Sequence, residues 1–415
     1  MEKTIWYISK YAVAPPYGNA TRQFYFSKYF AINGYNTILM SSNASGIKNN
    51  EPYIYDHYYK YNIIDGVHHY LLKGPKLSLG FSFKRILSWL QFEWYIFRLC
   101  KKLYKQSPPD CVIVSSLSLL TVLNGIYLKF KYNVRLIFEV RDIWPLTLTS
   151  VGGYSKWNPF IVVLSIIEKL GYRYADEIVG TMPNLLEHVN EIVKNKNVHY
   201  IPHGLDYEYY TDKISSLESK KIITNLNPNN FNIVYTGSIG KANFLEYLLD
   251  SFVTLETKNK NLKLHIIGSG PLKSTFQEKY KNNLNILFHD IVPKNEIPKL
   301  ISHFYASVII VPDYKVYDYG ISPNKLNEYL LSGIPCIQIF NNSKTIIDKA
   351  NAGYNVRFGS PEHITQSLIE ICNSSKDELQ NKGKNGILYS KKYLDYNYLT
   401  DRYLDLLFPE RANIS

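Results

Sequence analysis

Lys325 and Glu328 stand three residues apart in the run Tyr319-Gly320-Ile321-Ser322-Pro323-Asn324-Lys325-Leu326-Asn327-Glu328-Tyr329. A glycine turn opening a helix there would put both side chains on one face, near its N-terminal end. A lysine so placed neutralises a diphosphate, and a carboxylate accepts two hydrogen bonds from ribose hydroxyls. Three more loops offer related chemistry. Tyr235-Thr236-Gly237-Ser238-Ile239-Gly240-Lys241 and Ile267-Gly268-Ser269-Gly270-Pro271 carry small residues that let backbone N–H groups approach a phosphate, and Lys241 adds a point charge. Ordinary strand-to-helix punctuation accounts for Gly237, Gly268 and Gly270 as well. In His289-Asp290-Ile291-Val292-Pro293, Ile291 and Val292 form an apolar wall suited to a flat base, and a plain helix-capping loop reads equally.

Such loops need strand ends to carry them. Short apolar runs alternate with helix-length segments, the pattern of a parallel sheet covered by helices. Strands are expected at Thr4 to Ser9, Thr37 to Ser41, Cys111 to Ser115, Arg135 to Val140, Glu177 to Gly180 and Val198 to Ile201. Helices are expected at Thr21 to Asn33 and Ile161 to Ala175. Asp206 to Asn230 is polar and aperiodic, as in a linker. Alternation then restarts at Asn232 to Tyr235, Leu262 to Ile267, Asn285 to Phe288, Ala306 to Ile310 and Pro335 to Gln338, with helices at Phe244 to Phe252 and Asn295 to His303. The fold class is therefore α/β, with a second Rossmann-like unit after the first.

The 415 residues suit two domains, and 46% hydrophobic with 20% charged residues is a globular composition. A formal charge of +12 points to an anionic partner. The basic residues are spread along the chain without a nucleic-acid-binding signature, so no nucleic-acid partner is expected. Cys100, Cys111, Cys336 and Cys372 form neither a disulfide framework nor a metal-ligand spacing, and no Asp-x-Asp metal site is present. The first residues run into a strand and a proline turn, unlike a signal peptide, and no stretch reaches the roughly 20 apolar residues of a membrane span. A cytoplasmic protein, soluble or peripheral on the inner face of the membrane, is expected. Residues 73–105 interleave Lys76, Lys84, Arg85, Arg98, Lys101, Lys102 and Lys105 with Phe81, Phe83, Trp89, Phe92, Trp94, Tyr95 and Phe97. Two readings of this segment stand: a helix lying on an acidic membrane surface, or a domain helix with a core side and solvated cations.

Taken together, the run Tyr319 to Tyr329, its helix and the exit Ser332-Gly333-Ile334-Pro335 resemble the donor-binding motif of retaining GT-B glycosyltransferases of family 4. That family pairs two glutamates; here Glu328 matches the second and Gly320 occupies the place of the first. The run Tyr319 to Lys325 is similar to that of the fucosamine-type (WbuB-like) branch of bacterial surface polysaccharide synthesis, as is Glu139-Val140-Arg141-Asp142-Ile143-Trp144-Pro145. Pro15-Pro16-Tyr17-Gly18-Asn19-Ala20-Thr21-Arg22 resembles the family's glycine-rich loop over the donor diphosphate, with Asn19 where members often have a second glycine. Ile201-Pro202-His203-Gly204-Leu205-Asp206 is similar to the family's Ile-Pro-Asn-Gly-Val-Asp, His203 reading as a hinge residue.

The resemblance implies two Rossmann-like domains facing each other across a cleft. Residues 1–205 would take the acceptor, with a C-terminal helix at about 392–412 packing back onto them, and 206–391 the donor. It implies donor contacts from Gly18, Asn19, Arg22, Gly237, Lys241, Gly268, Gly270, Ile291, Val292, Gly320, Ile321, Ser322, Pro323, Asn324, Lys325 and Glu328, without a metal or a cofactor beyond a UDP-sugar co-substrate. Asp142 would orient the acceptor hydroxyl, its alternative being a capping role in the following loop. Arg141 would either hold Asp142 or bind an acceptor phosphate. Arg22 would reach the diphosphate or pair on the surface of its helix. The absent first carboxylate suits an N-acetylated or deoxy sugar, and the branch implies a polyprenyl diphosphate-linked saccharide acceptor. Other classes remain open: a sugar-nucleotide epimerase on the same scaffold, or a non-catalytic two-domain binder of an anionic ligand. A nicotinamide oxidoreductase lacks its Gly-x-Gly-x-x-Gly after the first strand.

Overall fold

Runs of apolar and β-branched residues set the strands, and a computed structural model arranges them in two sheets. It describes residues 2–14, 21–43, 57–75, 83–255, 261–342 and 345–413. The chain divides into two units, Met1–Pro202 with Tyr396–Ser415, and His203–Asp395.

In the first unit the strands are β1 (Thr4–Ile8), β2 (Asn36–Ser42), β3 (Tyr59–Ile64), β4 (Val67–Leu72), β5 (Cys111–Ser115), β6 (Arg135–Val140), β7 (Glu177–Gly180) and β8 (Val198–Tyr200). Their order is β3-β4-β2-β1-β5-β6-β7-β8, parallel except for the antiparallel pair β3 and β4. That hairpin is absent from the sequence reading, although Asp65-Gly66 signals it. Both residues have positive φ, 49° and 77°, as a two-residue type I′ turn requires. The helix Arg22–Ile32 packs against the final helix Tyr396–Leu407 through Phe26, Phe30, Tyr396 and Tyr403, with ring centroids 5.1–5.7 Å apart. A separate layer of helices, Phe83–Tyr104, Thr121–Tyr132 and Pro159–Tyr174, is joined by the ring pairs Phe97–Tyr127 (5.2 Å), Phe130–Tyr174 (5.4 Å) and Trp89–Phe160 (6.1 Å).

The second unit contains β9 (Phe231–Thr236), β10 (Leu262–Ile267), β11 (Ile286–His289), β12 (Ala306–Ile310), β13 (Cys336–Ile339) and β14 (Gly353–Val356), all parallel. The order β11-β10-β9-β12-β13-β14 is that of a dinucleotide-binding sheet, reversing direction between β9 and β12. Ligands of such sheets lie beyond the carboxyl ends of the strands at that reversal. The edge strand β14, short and half polar, gave no sequence signal.

The chain enters and leaves this unit side by side, where the Leu205 N–H donates to the Leu394 carbonyl at 2.7 Å. Residues 206–230, expected as a linker, instead form a 3₁₀ turn (Tyr207–Tyr209) and a helix (Leu217–Thr224) capped by Ser216. The Glu296 carboxylate anchors them, accepting from the backbone N–H and hydroxyl groups of Ser215 and Ser216 at 2.6–3.0 Å. Burial pushes this carboxyl up, but the serine donors outweigh it and bring it down to about 2. Polarity therefore marks a buried anchoring network here, and not a free connection.

Candidate functional site

At the reversal between β9 and β12, Gly237, Lys325 and Glu328 come together. Chain leaving β12 passes a 3₁₀ turn (Lys315–Tyr319) and reaches Gly320 at φ 93°, a region that favours glycine. Ile321, Ser322 and Pro323, each half-buried, lead into the helix Asn324–Ser332, whose first residue is exposed. No side chain caps this helix, so its first N–H groups are available to an anion. Two bonds fix the helix from behind. Tyr329 Oη accepts from the Thr236 N–H at 2.9 Å, and Asn327 Nδ2 donates to the His203 carbonyl at 2.6 Å.

Lys325 lies across the end of β9. Its Nζ donates to Tyr235 Oη at 2.7 Å and sits 3.9 Å from the Tyr235 ring centroid. Tyr235 Oη in turn donates to the Ser238 carbonyl at 3.0 Å, which ties the lysine to the turn after β9. A Cβ on Gly237 would approach Nζ to 3.0 Å, so the glycine leaves room for this ammonium. Burial, only partly offset by Glu328, pulls Lys325 down to about 7. An arriving phosphate would restore its charge.

Glu328 is buried one turn further on. Its Oε1 accepts from Tyr210 Oη at 3.4 Å and lies 3.7 Å from Lys294 Nζ. Burial raises this carboxyl, with Lys294, Tyr210 and Lys325 opposing. Tyr235, Tyr210 and Lys294 were not among the sequence candidates. Lys294 follows a strand-end loop and carried at least that positional signal, whereas Tyr210 sits far away in the sequence and carried none.

The two glycine loops serve each other. Gly268 has φ +155°, and a Cβ there would come within 1.9 Å of the Gly237 carbonyl oxygen; one on Gly270 would come within 2.2 Å of the Ile239 oxygen. The loops are laced by Gly237 N–H to the Ile267 carbonyl (3.0 Å) and Ile239 N–H to the Ser269 carbonyl (2.9 Å). Close backbone approach thus accounts for Gly268 and Gly270. Lys241 is exposed on the 3₁₀ turn Lys241–Asn243. Ile291 is exposed, while Val292 packs on the core of the second unit.

In the first unit the candidates have different surroundings. Gly18 and Asn19 lie outside the described residues. Arg22 is neither at a surface nor open to a diphosphate. It is buried, with Nε donating to Glu139 Oε2 at 2.9 Å, Nη2 to the Ile201 carbonyl at 3.0 Å and Nη1 to the Pro202 carbonyl. The reason is Glu139, which needs a counter-charge inside the core. Asp142 has both oxygens occupied locally, Oδ2 by Trp144 Nε1 (2.9 Å) and Oδ1 by Thr147 Oγ1 (2.6 Å). That is the geometry of the loop-capping reading. Arg141 has Nε and Nη1 buried without a hydrogen-bond partner.

The family model for Glycosyl transferases group 1 matches residues 230–374. An uncharacterised glycosyltransferase of Methanocaldococcus jannaschii is 31% identical over 208 residues, 46% of this chain and 48% of that protein, so the match spans about half of either. Sucrose-phosphate synthase from Thermosynechococcus elongatus superposes over 100% of both chains with TM-score 0.72 and 12% identity. A trehalose-6-phosphate structure from E. coli bound with UDP-2-fluoro glucose gives 0.71 and 11% over 98% of this chain and 99% of that one. Anabaena HepE in complex with UDP and glucose gives 0.64 and 10% over 98% and 99%. The second unit therefore contains the segment that matches the glycosyltransferase group 1 model, in a chain with the GT-B fold.

Proposed function

We propose that this chain is a metal-independent, retaining glycosyltransferase that moves a sugar from a UDP-sugar to a lipid-linked saccharide. The observation that carries this reading is the pairing of Lys325 with the uncapped start of the helix Asn324–Ser332, and of Glu328 one turn on, at the reversal of the six-stranded sheet. Departure of a nucleoside diphosphate develops negative charge, which Lys325, Lys241 and the uncapped N–H groups at the start of the helix Asn324–Ser332 would stabilise, while Glu328 would hold the ribose. Uridine as the base is supported by the UDP and UDP-sugar in the fold neighbours. Gly320 in place of a carboxylate favours an N-acetylated or deoxy hexosamine, as expected for O-antigen, capsule or exopolysaccharide assembly.

Incubation of the purified chain with UDP-N-acetylhexosamines should release UDP only when a polyprenyl diphosphate-linked saccharide is added. Binding without acceptor-dependent release would favour a non-catalytic binder, and conversion of the sugar nucleotide to its epimer would favour an epimerase.

The lipid part of this reading draws on the helix layer of the first unit. No helix among the described residues is long and apolar enough to cross a membrane. Trp89 and Phe92 of Phe83–Tyr104 are core, whereas Leu90 (54%) and Trp94 (59%) are exposed, as are Phe130 (65%) and Ile166 (56%) on the two neighbouring helices. Lys84, Arg98, Lys101, Lys102, Lys131, Lys169 and Arg173 are exposed on the same three helices. Their only acids are Glu93, bonded to Thr121 and Asn124 at 2.7 Å, and Glu168, bonded to His188 at 2.8 Å. A layer with exposed rings, exposed cations and acids engaged by neighbouring side chains suits an acidic bilayer surface. The chain is expected to co-sediment with phosphatidylglycerol vesicles and not with phosphatidylcholine, and L90S/W94S should weaken that binding about tenfold or more, since each buried side chain contributes about 1.5–3 kcal/mol. Equal sedimentation with both lipids, or by the double variant, would remove the membrane from the proposal.

A further inference from the structure

β6 runs directly into Glu139-Val140-Arg141, and alternate residues of a strand share a face. Glu139 is buried and its oxygens are engaged: Oε2 by Tyr7 Oη at 2.8 Å and Arg22 Nε at 2.9 Å, Oε1 by Ser115 Oγ at 2.8 Å. Burial pushes this carboxyl up, but Arg22 and Arg141 pull it below its ordinary value, so it is a carboxylate. Two guanidinium groups thus face one negative charge, and the hydrogen bond goes to Arg22.

Arg141 is left over. Its Nε and Nη1 are buried without a partner. The adjacent acid does not supply one, because Asp142 gives its oxygens to Trp144 and Thr147. Buried polar groups are almost always paired, and an unpaired buried cation is costly. The backbone of Arg141 is meanwhile held from both sides. Its N–H donates to Ser116 Oγ at 2.9 Å, just past the end of β5, and its carbonyl accepts from Thr181 Oγ1 at 3.3 Å, just past the end of β7. A side chain rooted in backbone so held at the carboxyl edge of a parallel sheet, with two buried donor atoms that lack an acceptor, is poised for an anion.

We propose that Arg141 anchors a second anion site, on the first unit, that takes the phosphate or diphosphate group of the acceptor. This rests on the reading of the chain as a glycosyltransferase with a lipid-linked acceptor. A guanidinium presents five donors in a planar fork and matches phosphate oxygens better than any other side chain. Burial and the like charge of Arg22 disfavour the cation on Arg141, with Glu139 opposing; a bound phosphate reverses that balance. The acceptor would then be selected by its phosphate.

The test saturates the full-length chain with UDP, which occupies the diphosphate site of the second unit, and then titrates inorganic pyrophosphate by calorimetry. A second binding event is expected in the wild type. In Arg141→Gln it should weaken by at least about tenfold, the value of a charge-assisted hydrogen bond, with UDP affinity unchanged. Unliganded Arg141→Gln should melt no lower than the wild type, because it removes an unpaired cation. Absence of the second event in the wild type overturns the proposal, as does undiminished pyrophosphate binding by the variant or a lowered melting temperature of the unliganded variant, which would mark a structural arginine. Failure of UDP itself to bind would sink the function reading separately. Pyrophosphate titrated alone would then still report on Arg141, through loss in Arg141→Gln and retention in Lys325→Ala.

Discussion

Lys325→Ala is expected to lower kcat/KM for the UDP-sugar by about 10² to 10³, the cost of removing one preorganised group that meets charge developed in the transition state. The loss should fall mainly on kcat, because the ammonium is needed most when the diphosphate departs. Glu328→Ala should instead raise KM by about tenfold to a hundredfold, since a ribose contact is the same in ground and transition states and a hydrogen bond to a charged group contributes about 1.5–3 kcal/mol. Tyr235→Phe separates ring from hydroxyl: the stacking surface 3.9 Å from Nζ remains, the 2.7 Å hydrogen bond is lost, and an intermediate fall in kcat is expected.

The same lysine makes donor binding depend on pH. Free Lys325 lies near 7 and its ordinary value is 10.5. A bound diphosphate raises it toward the ordinary value, so between these two values UDP binding takes up a proton and affinity falls as pH rises. Below the lower value the lysine is charged in both states and the dependence vanishes. Calorimetry at one pH inside the window, in two buffers of different ionisation enthalpy, should show heats that differ by up to one proton. Lys325→Ala should abolish that difference. A wild-type-like transfer rate in the variant would remove Lys325 from the site.

Arg22→Met is expected to destabilise the first unit by about 3–5 kcal/mol, the cost of stripping one partner from a buried ion pair. Besides Glu139, the Ile201 and Pro202 carbonyls lose their donor. The sign of the pH dependence discriminates this from a simple packing defect. Glu139 in the wild type lies below its ordinary value, so its contribution is present above the unfolded carboxylate range and is lost as pH falls through the folded value. Without Arg22, burial favours the protonated acid, so the deficit of the variant should shrink toward low pH. Urea denaturation at several pH values measures this. An unchanged midpoint together with a raised donor KM would return Arg22 to the diphosphate.

Which residues were legible depended on what kind of information placed them. Lys325 and Glu328 sit on one helix, and a spacing of three brings them to one face whatever surrounds them. Gly320 was legible for the same reason, since a turn into a helix needs its φ locally. Arg22 and Glu139 were not readable as a pair. They are 117 positions apart, and only the stacking of the helix Arg22–Ile32 on the sheet joins them. Asp142 was readable in both its roles. Trp144 and Thr147 fold back onto its oxygens, which fits the capping role. The linker reading of 206–230 failed because serine and charge are as apt for a network around a buried Glu296 as for solvent.

By itself the sequence determined the succession of strands and helices, the glycine turns at their junctions and the lysine and glutamate on one helix, because each depends on neighbours within a few residues. Only the tertiary structure decided which charges are buried, which are paired and which is left over. Those outcomes are set by distances between segments remote in the chain, through desolvation and Coulomb attraction that no local pattern encodes. Arg22 and Arg141 are the same residue type near the same carboxylate, and packing alone bonds one to Glu139 and leaves the other with buried, unpartnered donors.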